Sequence, residues 1–158
     1  MKCEKGVDKT PLSYYNKSVK QREMNVMEIR KATAADVKTL TRKLQNKRIE
    51  YNTVEMMKKD VKENCLWVLI DNNTIIASCA VVPTDFYWMG VKRLVVYSKK
   101  NCGKGYARKL LEAITADSQT YCITPWDDNE PMKHLVEKIG FSFKYKFNGN
   151  WCCYLKNA

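Results

Sequence analysis

The sequence predicts a single α/β domain, a mixed and largely antiparallel central sheet flanked by helices. Three observations predict it. Apolar residues alternate, or run together as β-branched stretches, in short segments with strand length. Between these segments, apolar residues recur at helical spacing in longer, more polar stretches. Finally, short turns of the DNNT and NGN kind imply antiparallel hairpins, while strand–helix–strand units imply parallel neighbours. At 158 residues, the chain is long enough for one domain with a real core and short for two.

The elements follow in order. Residues 26–33, VMEIRKAT, alternate as a strand. AADVKTLTRKLQNK then carries Val37, Leu40 and Leu44 on one helical face, and a second helix over 53–63 carries Val54, Met57 and Val61. CLWVLI (65–70) and IIASCAVV (75–82) form a hairpin through DNNT. An aromatic-rich turn, PTDFYWMG (83–90), leads into the strand VKRLVVY (91–97). A helix from Gly105 to Ala116 presents Tyr106, Ala107, Leu110, Leu111 and Ile114 on one face, and TYCIT (120–124) is a buried strand. In PMKHLVEKIG (131–140), Pro131 suits the first turn, Met132, Leu135, Val136 and Ile139 form the apolar face, and Gly140 stops the helix. FSFKYKF and WCCYL flank NGN as a last hairpin. The predicted order is β-α-α-β-β-β-α-β-α-β-β.

Composition narrows the class. Hydrophobic residues make up 45% and charged residues 28%, the balance of a soluble globular protein. No apolar run approaches the roughly 20 residues that span a bilayer, and the first residues lack the apolar core of a secretory signal, so no membrane partner and a cytoplasmic location are expected. Cys3, Cys65, Cys79, Cys102, Cys122, Cys152 and Cys153 include no C-x-x-C pair, and His134 is the single histidine. No metal site is expected, and the thiols read as small buried hydrophobes in a reducing compartment. The net charge of +11 points to an anionic partner. Between 89 and 112, Lys92, Arg93, Lys99, Lys100, Lys104, Arg108 and Lys109 face Glu112 alone. Residues 1–24 read as a basic tail or loosely packed extension, and 25–158 as the domain.

The basic stretch contains KKNCGKGYARKL (99–110), in which two glycines sit one residue apart between a strand and a helix. A helix N-terminus offers unpaired N–H groups and partial positive charge, and glycines there let a diphosphate approach the amides without meeting a Cβ. The spacing is not that of a P-loop, and position 108 is Arg, so G-x-G-x-x-G also fails.

The run LVVYSKKNCGKGYARKLLEAI resembles motif A of the GNAT superfamily of N-acetyltransferases, with Cys102, Gly105 and Ala107 at the three specified positions of [QR]-x-x-G-x-[GA]. Downstream, DNEPMKHLVEKIGF (128–141) resembles the family's N-x-x-A-x-x-L-Y-E-K-L-G-F segment, with Asn129, Leu135, Glu137, Lys138, Gly140 and Phe141 in register. The resemblance spans about residues 26–156 and implies the acyl-CoA N-acyltransferase fold with acetyl-CoA, or another acyl-CoA, as ligand. It places the pyrophosphate on the amides of Asn101, Cys102, Gly103, Lys104, Gly105, Tyr106 and Ala107. The pantetheine arm runs beside Val95 and Val96, Asn129 approaches it from the other side, and the lysines near 99–109 neutralise phosphate.

Three positions depart from the family pattern. Cys102 replaces Gln or Arg, Val136 stands where many members carry a tyrosine general acid, and the strand at 91–97 carries no acid. Deprotonating an ammonium of pKa about 10.4 requires a base or a proton path. Among Asp85, Asp127 and Asp128, the first candidate is Asp85, at the turn carrying Phe86, Tyr87 and Trp88; Tyr97 is the second. Tyr87, Trp88 and Arg93 are candidate acceptor-binding residues, and Lys92 or Arg93 on the cleft face would favour an acidic acceptor. His134 reads as exposed and inert. The expected reaction is direct transfer to a primary amine of a small molecule or protein in a ternary complex, with a strand amide polarising the carbonyl. Two alternatives stand beside it. One is a nucleic-acid-associated protein using the basic surface with Tyr87, Trp88, Trp126 and Trp151; the other is an acyl-CoA sensor without turnover. Either a monomer or a homodimer is compatible.

Overall fold

Alternation carries seven strands into one sheet. The computed structural model describes residues 27–45 and 53–157. Its strands are β1 (Glu28–Lys31), β2 (Leu66–Asp71), β3 (Thr74–Pro83), β4 (Met89–Val96), β5 (Tyr121–Ile123), β6 (Ser142–Phe147) and β7 (Trp151–Lys156), and its helices are α1 (Val37–Gln45), α2 (Val54–Lys62), α3 (Tyr106–Ile114) and α4 (Glu130–Lys138). The element order is the predicted one. The basic tail at 1–24, Cys3 and the end of the first predicted helix lie outside the described residues.

The strands lie in the order β1-β2-β3-β4-β5-β7-β6, and only β4–β5 is parallel. Thus β7 turns back and inserts between β5 and β6. The physical reason lies in its faces: Cys152, Cys153 and Tyr154 are all buried, as an interior strand requires, whereas β6 is exposed along most of its length and stays at the edge. Both predicted hairpins close through paired left-handed residues, Asn72–Asn73 and Asn148–Gly149. The first strand is shorter than its alternation suggests because Thr33 caps the following turn: Asp36 accepts from the Thr33 N–H at 2.8 Å.

Two cores form on the two faces of the sheet. Under α3 and α4 lie Val91, Leu110, Leu111, Ile114, Ile123, Val136 and Tyr154; under α1 and α2 lie Leu40, Met57, Val68, Ala80, Val95 and Tyr97. No residue of β5, β6 or β7 belongs to the second cluster, so among the described residues the α1–α2 face is uncovered over that half of the sheet.

One irregularity decides what this arrangement can do. Ser78 pairs with Val95 and Ala80 with Lys92, so β4 spends one residue more than β3 over the same span. The extra residue centres on Arg93, whose φ of 56° lies in the left-handed region. The SKKN segment that follows β4 folds as a 3₁₀ turn, Lys99–Asn101. The bulge switches parity. Val91 faces α3, whereas Val95 and Tyr97 face α1 and α2. It also coincides with the end of β4–β5 pairing at Val91–Ile123, beyond which the two strands part.

Candidate active site

The turn before α3 is built around two left-handed glycines, Gly103 (φ +78°) and Gly105 (φ +79°), and a Cβ at either would meet nothing within 4 Å. The first helical bond runs from the Lys109 N–H to the Gly105 carbonyl at 3.0 Å, so the amides of Tyr106, Ala107 and Arg108 have no helical acceptor. Those of Gly103, Lys104 and Gly105 likewise find none among the described residues. The result is a row of donors at the positive end of a nine-residue helix. The Tyr106 hydroxyl anchors it by donating to Asp71 at 2.7 Å, a bond that also raises the hydroxyl's pKa. The Asn101 and Cys102 amides, expected among these donors, are instead spent inside the preceding 3₁₀ turn, on the Ser98 and Lys99 carbonyls at 2.9 and 3.1 Å; Asn101 is buried and Cys102 exposed.

Cations converge on this turn from two elements. Lys99, Lys100 and Lys104 belong to it, and Lys43 comes from the last turn of α1, near enough to Lys100 for the two to repel. Partial burial, with repulsion from Arg42 and Lys100, holds the Lys43 ammonium below its ordinary pKa. Arg42 and Lys43 were not singled out from the sequence; their place in the last turn of an amphipathic helix was the signal available.

Near where β4 parts from β5, a side chain ties β4 to α2. At the bulge, the Arg93 guanidinium donates to both carboxylate oxygens of Asp60 on α2, at 2.8 and 2.5 Å. The Asp60 side chain is 5% exposed and that of Arg93 15%. Cys65 adds a weak S–H contact to the Asp60 carbonyl at 3.4 Å. Arg93 therefore fastens α2 to the strand, and its charge is spent.

Beside the parted strands, the uncovered half of the α1–α2 face holds a cavity of about 620 Å³. Its floor comes from β4, β5 and β7 through Gly90, Lys92, Cys122, Thr124 and Cys153. Its walls come from the β3–β4 turn, through Asp85, Phe86 and Trp88, and from β6, through Tyr145 and Phe147. Of the predicted residues, the structure brings Asp85, Trp88 and Lys92 together here. Asp85 is exposed and makes no contact among the described residues. Tyr87 is fully exposed and does not line the cavity. Cys122, Cys153, Tyr145 and Phe147 were missed, because their convergence depends on β7 lying between β5 and β6.

The other candidates sit elsewhere. Tyr97 is buried under α1, its hydroxyl 2.6 Å from that of Ser78, and burial pushes its pKa up to about 12. Asn129 caps α4, accepting from the Met132 N–H at 3.3 Å. Val136 is fully buried in the α3–α4 core, and His134 is exposed. Asp127 accepts from Lys146 at 2.7 Å, which holds its pKa down, and Trp126 stacks on Trp151 at 4.1 Å.

No family model matches the sequence, and no curated protein is similar enough in sequence to match it. The fold does match solved acetyltransferases. A GNAT-family acetyltransferase from Streptococcus agalactiae superposes with a TM-score of 0.71 at 17% identity, over 84% of this chain and 95% of that one. The ribosomal-protein-S18-alanine N-acetyltransferase from Escherichia coli gives 0.70 at 14% identity, over 84% and 94%. A spermidine N-acetyltransferase chimera from Vibrio cholerae and hSSAT gives 0.63 at 16% identity, over 83% and 95%. The chain has the fold of the GNAT acetyltransferases.

Proposed function

We propose that, on this fold, the chain transfers an acetyl group from acetyl-CoA to a primary amine of a small molecule or protein, with both substrates bound together. The observation that carries the reading is the head of α3: successive amides from Gly103 to Arg108 without acceptors among the described residues, two glycines opening onto free space, and cations from α1 and the turn around them. A diphosphate is an anion that such a row of donors, with no Cβ at two of its positions, accommodates. The fold neighbours support acetyl transfer generally, and among them the acceptors named are spermidine and a ribosomal-protein alanine.

Acetyl-CoA, when bound, supplies the acetyl group as a thioester. The amides of Gly103, Lys104, Gly105, Tyr106 and Ala107 would hold its diphosphate, and Lys43, Lys100 and Lys104 would neutralise its phosphates. Val95 and Val96 would flank the pantetheine arm where β4 has left β5, with Asn129, the cap of α4, on the other side. A backbone N–H of β4 at the bulge polarises the acetyl carbonyl. Asp85 is the carboxylate at the cavity that receives the acceptor's ammonium proton and passes it to water. Val136 is buried and has no proton to give, so a leaving thiolate would take its proton from solvent.

The test is a thermal shift with acetyl-CoA, followed by an amine panel read by thiol release. Stabilisation together with amine-dependent release is expected. Stabilisation without release under any amine would leave the sensor alternative, and no stabilisation with salt-sensitive DNA retention would leave the nucleic-acid one.

A further inference from the structure

We infer that the acceptor is an amine carried on a flat, aromatic-sized apolar body, bound with its ring between two aromatic walls and its ammonium at Asp85; this rests on the acetyl-transfer reading of the same site. One wall is the Phe86–Trp88 pair, ring centroids 5.4 Å apart; the other is Tyr145 and Phe147, 6.2 Å apart. They come from the β3–β4 turn and from the edge strand β6, and both pairs line the same cavity. The floor between them is equally soft. Cys122 and Cys153 lie on adjacent strands facing the same way, and apolar surroundings push the Cys122 thiol up to about 11, so it stays neutral. Gly90 keeps the floor low: a Cβ there would stand 3.0 Å from the Thr84 methyl. Aromatic faces either side of a neutral floor favour a ring by stacking and by burial of apolar area.

Charge then selects among amines. Among the described residues, Asp85 is the one carboxylate lining this cavity, and no cation is bonded to it. The nearby acids are already neutralised, Asp60 by Arg93 and Asp127 by Lys146. A polyamine needs several free carboxylates and would meet Lys92, whose stem lies over Gly90. An acidic or phosphorylated acceptor fares no better, because Lys92 is the single cation lining the cavity and Arg93 is committed to Asp60. A monoamine on an aromatic body matches one free acid between two aromatic walls.

The experiment measures binding directly, with calorimetry and tryptophan fluorescence, using 2-phenylethylamine, spermidine and phenylacetate as probes against the full chain with coenzyme A present. The inference expects 2-phenylethylamine to bind at least about tenfold more tightly than either control, the worth of one charge-assisted hydrogen bond or one well-buried ring. Asp85→Asn is expected to weaken 2-phenylethylamine by about tenfold while leaving benzyl alcohol within about twofold, and Trp88→Ala to weaken both. Spermidine binding as tightly as 2-phenylethylamine, or no effect of Asp85→Asn, would overturn the assignment even with the acetyl-CoA thermal shift intact. Loss of that shift with amine selectivity preserved would instead overturn acetyl transfer and leave the cavity's chemistry standing.

Discussion

Gly105 and Gly149 form an internal control for the diphosphate cradle. Both have left-handed φ, +79° and +75°, and both have open space where a Cβ would stand. One heads α3; the other turns the β6–β7 hairpin. Placing alanine in a left-handed conformation costs about 1–2 kcal/mol. At ~2–4 °C per kcal/mol for a domain of this size, each variant should melt roughly 2–8 °C below the parent. Ligand linkage separates them. At a concentration of 100 Kd, a ligand adds about 2.7 kcal/mol, or ~5–11 °C. Gly149→Ala should keep that increment. In Gly105→Ala, the new methyl projects into the space a phosphate needs; if affinity falls ~100-fold, the increment at the same concentration drops to about 0.4 kcal/mol, ~1 °C. Differential scanning fluorimetry with and without acetyl-CoA reads all four quantities. Equal increments in the two variants would refute the cradle, because strain alone is common to both.

Removing the bulge's partner should be costly. Asp60→Ala leaves Arg93 largely buried without its carboxylate, about 3 kcal/mol at the lower end for breaking such a pair, and faster amide exchange should appear in 92–96. Adding Arg93→Gly should recover much of the loss, since glycine accepts φ 56° without strain; a double variant no better than the single would show that the pair does not hold the bulge. Asp36 sets an acid limit. Hydrogen bonds from Arg30, and then from Thr33, lower its pKa to about 2 against the opposing effect of burial, so its contribution is whole above its unfolded value near 3.9 and vanishes as pH falls through about 2. Asp36→Asn should therefore cost ~1 kcal/mol at pH 7, after discounting for solvent screening, and nothing near pH 2, read from chemical denaturation at the two pH values. Lys43→Ala with Lys100→Ala should weaken acetyl-CoA several-fold at low salt and flatten its salt dependence; an unchanged slope in a binding titration would remove these cations from the phosphate site.

Much of the architecture is legible in local pattern. The apolar, β-branched runs CLWVLI and IIASCAVV, the Asn pair between them, the apolar face of 106–114 and the Pro131–Gly140 punctuation each follow from backbone geometry within a few residues, and each appears in the structure near where it was read. The glycine turn at 103–105 belongs to the same class, because left-handed φ beside a helix start is a local demand. The cavity does not. Its walls come from residues 86–88 and 145–147, more than fifty positions apart, and meet only because β7 is apolar enough to take the interior place beside β5.

Arg93 marks the boundary between the two kinds of information. Simple alternation from Val91 puts Val95 and Tyr97 on Val91's face, and nothing about an arginine in VKRLVVY announces a left-handed residue. Asp60, thirty-three positions earlier, supplies the charge that keeps the guanidinium turned toward α2, and the extra residue sends Val95 and Tyr97 into the opposite core. Periodicity thus determined which residues form strands and helices, since dihedral preference and side-chain alternation act between near neighbours. Which strands lie together, where β4 leaves β5 and what lines the gap were decided by burial and charge pairing between distant segments, and those energies exist only once the chain has closed on itself.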